Sequence, residues 1–232
     1  RRASATGWTN HAFYLGATKD NNEAIKQANA QDICGIKVFM GSSTGNMLVD
    51  DPETLAGILR QSQHLVAVHA EDEAIIQQNY HRITEKEQLS IEAHPRIRNA
   101  RGCYQASELI TGMAREYQAR LHILHLTTAD EVPLFDSAYP PEEKLITTEA
   151  CVHHLWFNSA DYTRWGNKLK CFPAIKAEPH RQALLEGLQQ GAIDQIASDH
   201  APHALVEKQR GYAEAPGGIP MIQHNLPAML AF

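Results

Sequence analysis

The chain has 232 residues, with 21 Lys and Arg against 27 Asp and Glu, a net charge of −6; 43% are apolar and 21% charged. This mix has enough apolar surface to offset chain entropy, which excludes a disordered protein. Mild acidity without a Lys/Arg block argues against nucleic-acid or anionic-membrane binding; no apolar run approaches a membrane span, no signal-peptide pattern opens the chain, and a cytoplasmic location is expected.

Short apolar runs predict strands over Ala12–Gly16, Gly35–Met40, Leu65–His69, Leu121–Leu126, Lys144–Thr148 and Ile193–Ser198. Between them, helices are predicted over Asn22–Asn29, Pro52–Gln63, Ala100–Gln118, Thr128–Ser137 and Pro179–Gln190. Asp51 before Pro52 is a good N-cap and Gly191 a good stop. Strands alternating with helices imply a parallel sheet, doubly wound or barrel. A Gly-rich phosphate turn after the first strand is absent, which favours a TIM-like (β/α)8 barrel. Such a barrel needs about 250 residues, and two strand–helix units are unaccounted for. The chain opens on Arg1-Arg2 without Met, so an incomplete barrel, residues 1–232 forming a single partial domain, is expected.

Cys34, Cys103, Cys151 and Cys171 form no Cys-x-x-Cys pair, and reduced, buried thiols are expected. Alternation along each strand places Lys37 with Gly35 and Phe39, His69 with Leu65 and Ala67, and Asp199 with Gln195 and Ala197. The same parity groups His125 with Leu121 and Ile123, and turns His122 the other way. Were these the inward faces, one amine, two imidazoles and one carboxylate would converge at one mouth. Singly, each has an ordinary reading: a snorkelling lysine, a hydrogen-bonded histidine, a turn-capping aspartate. Together they suit a metal site. A desolvated lysine loses its proton readily, and the neutral amine can add carbon dioxide to give a metal-bridging carbamate. A metal pair would lower the pKa of a bridging water, and an Asp beside it could carry a proton to a leaving nitrogen.

The strings around these residues carry a resemblance. Ala197-Ser-Asp-His-Ala-Pro-His203, followed by Lys208, resembles the signature of dihydroorotases. Gly35-Ile-Lys-Val-Phe-Met-Gly-Ser-Ser-Thr-Gly-Asn-Met-Leu-Val-Asp50 resembles the segment carrying that family's carboxylated lysine. Val66-Ala-Val-His-Ala-Glu71, Leu121-His-Ile-Leu-His-Leu-Thr127 and Thr148-Glu-Ala-Cys-Val-His-His154 are similar to its next blocks, in order. The resemblance implies an amidohydrolase-superfamily barrel opening dihydroorotate reversibly to carbamoyl aspartate, in pyrimidine biosynthesis. It implies two zinc ions bridged by carboxylated Lys37, with His69 and His125 on the second metal. Asp199 would bind the first metal and shuttle the proton. His203, with backbone at Gly217 and Gly218, would hold the substrate carboxylate. The loop Gly41–Asn46, with Ser42, Ser43 and Thr44, has the composition of a lid. His153-His154 is taken as wall-forming, not ligating.

The family's first metal also takes a His-x-His pair, followed by a carboxylate-binding Arg; no His-x-His occurs here. The first site is therefore expected to be incomplete, the family's small sandwich domain absent, and the chain prone to associate through open edges. Cys171-Phe-Pro-Ala-Ile-Lys176 stands where relatives often carry Asn-Pro-Pro-Leu-Arg, which leaves specificity open. Allantoinase or hydantoinase is the alternative enzyme, and a non-catalytic scaffold partnering aspartate transcarbamoylase the alternative of another class. A small-molecule substrate and a homodimer are expected.

Overall fold

The computed structural model describes residues 2–42, 46–84 and 89–232. Ser42 lies within them, whereas Ser43 and Thr44, also read as lid residues, lie outside. Six parallel strands line up in sequence order: β1 (Tyr14–Gly16), β2 (Gly35–Phe39), β3 (Val66–His69), β4 (Leu121–Ile123), β5 (Ile146–Cys151) and β6 (Gln195–Ala197). The described helices are, in order, α1 (Arg2–Thr6), α2 (Asn22–Gln27), α3 (Pro52–Gln61), α4 (Glu73–Thr84), α5 (His94–Ile97), α6 (Ala100–Tyr117), α7 (Val152–Trp156), α8 (Tyr162–Trp165), α9 (Glu178–Gln189), α10 (Leu205–Lys208) and α11 (Asn225–Met229).

The local chemistry accounts for these boundaries. Asp51 caps α3 by accepting the Thr54 N–H at 2.8 Å, with Pro52 in the first turn. Asn99 does the same for α6 through the Gly102 N–H at 3.0 Å. Gly191, at φ +78°, ends the α9 region as expected of a glycine stop. The predicted helix Thr128–Ser137 is instead a short 3-10 turn over Val132–Leu134. Pro133 removes a backbone donor and restricts Val132 before it. Glu131 turns back to accept from Thr128 and Ser107.

Ile36, Val38, Val66, Val68, Leu121 and Ile123 form the outward layer, packed on Ile25, Leu55, Ile58, Ala106 and Ile110 of the surrounding helices. Each such side chain contributes roughly 1.5–3 kcal/mol. The opposite strand faces are therefore inward, and register puts Lys37, Ala67, His122 and Thr147 side by side there. This corrects the sequence expectation for β4. Leu121 and Ile123 face the helices, and His122 faces inward. His125 reaches the inward side because the strand has ended at Ile123 and His125 turns at φ +41°, breaking the alternation.

Residues 72–118 supply α4, α5 and α6, and Ile76, Ile83, Ala93 and Ile97 make a second small core there. The sheet has β1 and β6 at its ends, and Tyr14 and Ile196 on them are 43% and 44% exposed.

Candidate metal centre

At the C-terminal ends of β3 and β4, His69 Nδ1 stands 3.0 Å from His125 Nε2, both rings buried. The other nitrogen of His69, Nε2, lies 2.9 Å from Glu71 Oε2. Burial alone would raise the Glu71 carboxyl, but Arg98 and the His69 bond outweigh it and hold the group well below the usual carboxylate range. Facing a carboxylate, Nε2 must be the donor, and burial keeps His69 neutral. Nδ1 therefore presents a lone pair toward His125. Burial likewise keeps His125 neutral.

These residues fit a metal ion. Two zinc-bound imidazole nitrogens at 2.0–2.1 Å in a tetrahedron lie about 3.3 Å apart, close to the separation of the pair. A carboxylate behind one imidazole is the usual support for a metal-ligating histidine. His125 Nδ1 is buried with no hydrogen-bond partner.

Lys37 stands one strand away, its ammonium 4.4 Å from the Phe39 ring centroid. Burial pulls its pKa from 10.5 down to about 8, against the opposing pull of Asp199 and Glu149. Asp199 follows β6 at φ +39°; burial raises its carboxyl, while His69 and Lys37 lower it. Lys37 and Asp199 thus lie close enough for each charge to favour the other. The ligating atoms of His69, His125 and Asp199 do not all fall within 4.8 Å of one another. β6, which leads to Asp199, is a three-residue edge strand paired only to β5 among the described residues.

Sequence reasoning passed over several residues here. Arg98 Nη1 donates to Glu71 Oε2 at 2.6 Å and to Ser42 Oγ, and its guanidinium lies 4.0 Å from the Phe172 ring centroid. Ser42, at φ +60°, also donates from Oγ to Glu71 Oε2 at 3.0 Å and from its N–H to Glu73 Oε2 at 3.1 Å. Glu71 thus joins a candidate ligand to Ser42 of the candidate lid. Glu149 accepts from the His125 N–H at 3.3 Å and contacts His122 Nε2 at 3.2 Å, and Gln195 Nε2 lies 3.0 Å from that same nitrogen. Strand parity from Thr147 was the signal for Glu149; no local pattern announces Arg98.

No protein-family model matches the chain. A curated dihydroorotase of Methanosarcina mazei is 31% identical over 229 residues, covering 93% of this chain and 49% of the relative. A curated allantoinase of Streptomyces avermitilis is 30% identical over 225 residues, covering 94% and 48%. The chain spans about half the length of the curated relatives it matches. The L-hydantoinase of Arthrobacter aurescens superposes with a TM-score of 0.86 at 25% identity, covering 94% of this chain and 50% of that one. The chain belongs to the cyclic amidohydrolases.

In this cyclic amidohydrolase chain the loop after β6 brings the predicted carboxylate-binding residues together. His203 Nε2 lies 3.1 Å from the Gly217 carbonyl. A Cβ on Gly218, at φ +140°, would sit 2.5 Å from the Ala201 carbonyl oxygen, so only glycine fits this close approach. Buried Lys208 fastens the turn, donating from Nζ to the carbonyls of Lys170, Pro216 and Gly218 at 2.9, 2.9 and 3.0 Å. Lys208 was visible in the sequence as part of a signature, without a role. No described helix is long and apolar enough to cross a membrane.

Proposed function

We propose that the chain carries the metal-binding strands of a zinc-dependent cyclic amide hydrolase that interconverts dihydroorotate and carbamoyl aspartate. The observation that carries this reading is the His69–His125 pair, oriented by Glu71 at the strand ends beside Lys37. His69 and His125 would hold one zinc ion, carbamylated Lys37 would bridge to a second, and Asp199 would complete that second position. Bound metal would polarise the ring amide carbonyl and activate water.

The chain's own groups supply the rest. Lys37, with its pKa lowered to about 8, holds a far larger neutral fraction near physiological pH than an ordinary lysine, and that neutral amine can take up carbon dioxide, losing one proton as the N–C bond forms. Asp199, raised by burial, can accept a proton and return it to the departing ring nitrogen. His203 and the backbone at Gly217 and Gly218 would receive the carboxylate that dihydroorotate carries and allantoin lacks. Ser42, tied to Glu71 and Arg98, would anchor the lid. With no His-x-His in the chain, the Lys37–Asp199 position would bind its ion weakly and turnover would be slow.

The four cysteines are free thiols, Cys103, Cys151 and Cys171 buried and Cys34 exposed against the expectation of buried thiols; free thiols support the cytoplasmic assignment. The open β1 and β6 edges support self-association. The allantoinase reading rests on the relative of that name.

Calorimetric titration of the zinc-loaded chain with dihydroorotate, carbamoyl aspartate and allantoin tests specificity without requiring turnover. Binding of the two carboxylates, weakened in His203→Ala, is expected. Preference for allantoin, or binding indifferent to His203, would overturn the assignment.

A further inference from the structure

A second set of ligating side chains lies where β5 runs into α7. Cys151 closes the strand, and His153 and His154 stand in the first turn of the helix. One ligating atom from each lies within 4.8 Å of the other two, the one such trio of His, Cys, Asp or Glu among the described residues. Cys151 and His153 are 0% exposed and His154 3%.

Three of the four imidazole nitrogens in this trio lack partners. Neither ring nitrogen of His153 has a hydrogen bond, and neither does His154 Nδ1. His154 Nε2 is engaged with the Pro173 carbonyl at 3.1 Å, as donor to an acceptor-only group. In the neutral ring Nδ1 is therefore a lone pair. The two ring centroids lie 4.2 Å apart. A buried polar group without a partner costs about 1–3 kcal/mol; each neutral ring offers one unmet lone pair, and two such lone pairs beside one thiol call for something that accepts them. A second hydrogen-bond donor from the protein is not there, and the donor set of one sulfur and two imidazole nitrogens is that of a zinc-class cation.

We propose that Cys151, His153 and His154 form a second metal site for a zinc-class divalent cation, sharing no ligand with the Lys37–His69–His125–Asp199 group. On binding, the Cys151 S–H bond breaks, its proton leaves to solvent and the sulfur–metal bond forms; the imidazoles bind through lone pairs without losing protons. One proton is released per ion. Three protein ligands leave one tetrahedral position for water. Cys171, whose Sγ lies 3.9 Å from His154 Nε2, directs its thiol to the Pro173 carbonyl at 3.2 Å and stays outside the shell.

Cobalt(II) titration of the full chain under reducing conditions tests the site. A near-ultraviolet thiolate-to-cobalt charge-transfer band reports sulfur ligation, which the amine, imidazoles and carboxylate of the first centre cannot produce. The band is expected in the unaltered chain, in His69→Ala with His125→Ala, and in Cys171→Ser, and is expected to vanish in Cys151→Ser. No band in the unaltered chain, or a band that survives Cys151→Ser or disappears in Cys171→Ser, would overturn the proposal. Should Cys151→Ser fail to fold, alkylation of Cys151 in the unaltered chain decides: zinc slows it if the site is real, and an unchanged rate overturns it.

Discussion

His69 donates from Nε2 to Glu71 Oε2 over 2.9 Å, and this one bond fixes which nitrogen of the ring looks toward His125. The carboxylate that sets the tautomer also accepts from Arg98 and from Ser42. Glu71→Gln keeps an acceptor but loses the charge, and zinc affinity should fall roughly 10–100-fold by isothermal titration. Glu71→Ala also takes the carboxylate from the part-buried Arg98 guanidinium, so urea unfolding should show a loss of about 3 kcal/mol. Unchanged zinc affinity in both variants would remove Glu71 from the account.

Five of the buried histidines make the metal-free chain sensitive to acid. Burial lowers His69, His125 and His154, and takes His94 to about 3 and His153 to about 4. Below pH about 6.5 the unfolded chain takes up protons that the folded chain refuses, so stability falls as pH drops through this window. His94 and His153 should each contribute about 2 kcal/mol of that loss between pH 7.5 and 5. Denaturant melts at the two pH values read the sum; equal midpoints would contradict it.

Lys37 has the opposite window. Its pKa falls from 10.5 to about 8 on folding, so charging it opposes folding below pH 8, and that penalty fades as pH rises toward 10.5. Lys37→Met should therefore stabilise the metal-free chain at pH 7 by up to about 3 kcal/mol. The difference between variant and parent should shrink toward pH 10.5. A gap that stays constant with pH would show that packing, not charge, sets it.

Lys208 offers a separation of loop from metal. Its Nζ donates to three carbonyls around the Gly217–Gly218 turn. Lys208→Met takes this donor from the Pro216 and Gly218 carbonyls, while the Lys170 carbonyl keeps the Gly218 N–H at 2.8 Å, and should cost about 2 kcal/mol. Binding of carbamoyl aspartate to the zinc-loaded chain should weaken while zinc affinity at His69 and His125 holds. Parallel loss of both affinities would instead mean general loosening.

The strand order was legible because Val- and Ile-rich runs alternate with capped helices, and Asp51-Pro52 and Gly191 mark ends by backbone chemistry that is local. What depended on the chain leaving its strand was not legible. His125 was grouped by parity with Leu121 and Ile123, yet it reaches His69 only through its positive φ after β4 ends. His122 was turned outward by the same reasoning and faces Glu149 instead. Glu71 shares a block with His69, but its Arg98 partner arrives from the long excursion between β3 and β4, where nothing in the local sequence points to it. Thr128–Ser137 has helical periodicity that Pro133 breaks.

Anomalous scattering at the zinc edge from crystals of the zinc-loaded chain is the most direct measurement. A zinc peak bonded to His69 Nδ1 and His125 Nε2 together is expected. Density showing those two nitrogens joined only by a hydrogen bond, with no zinc peak between them, would contradict it.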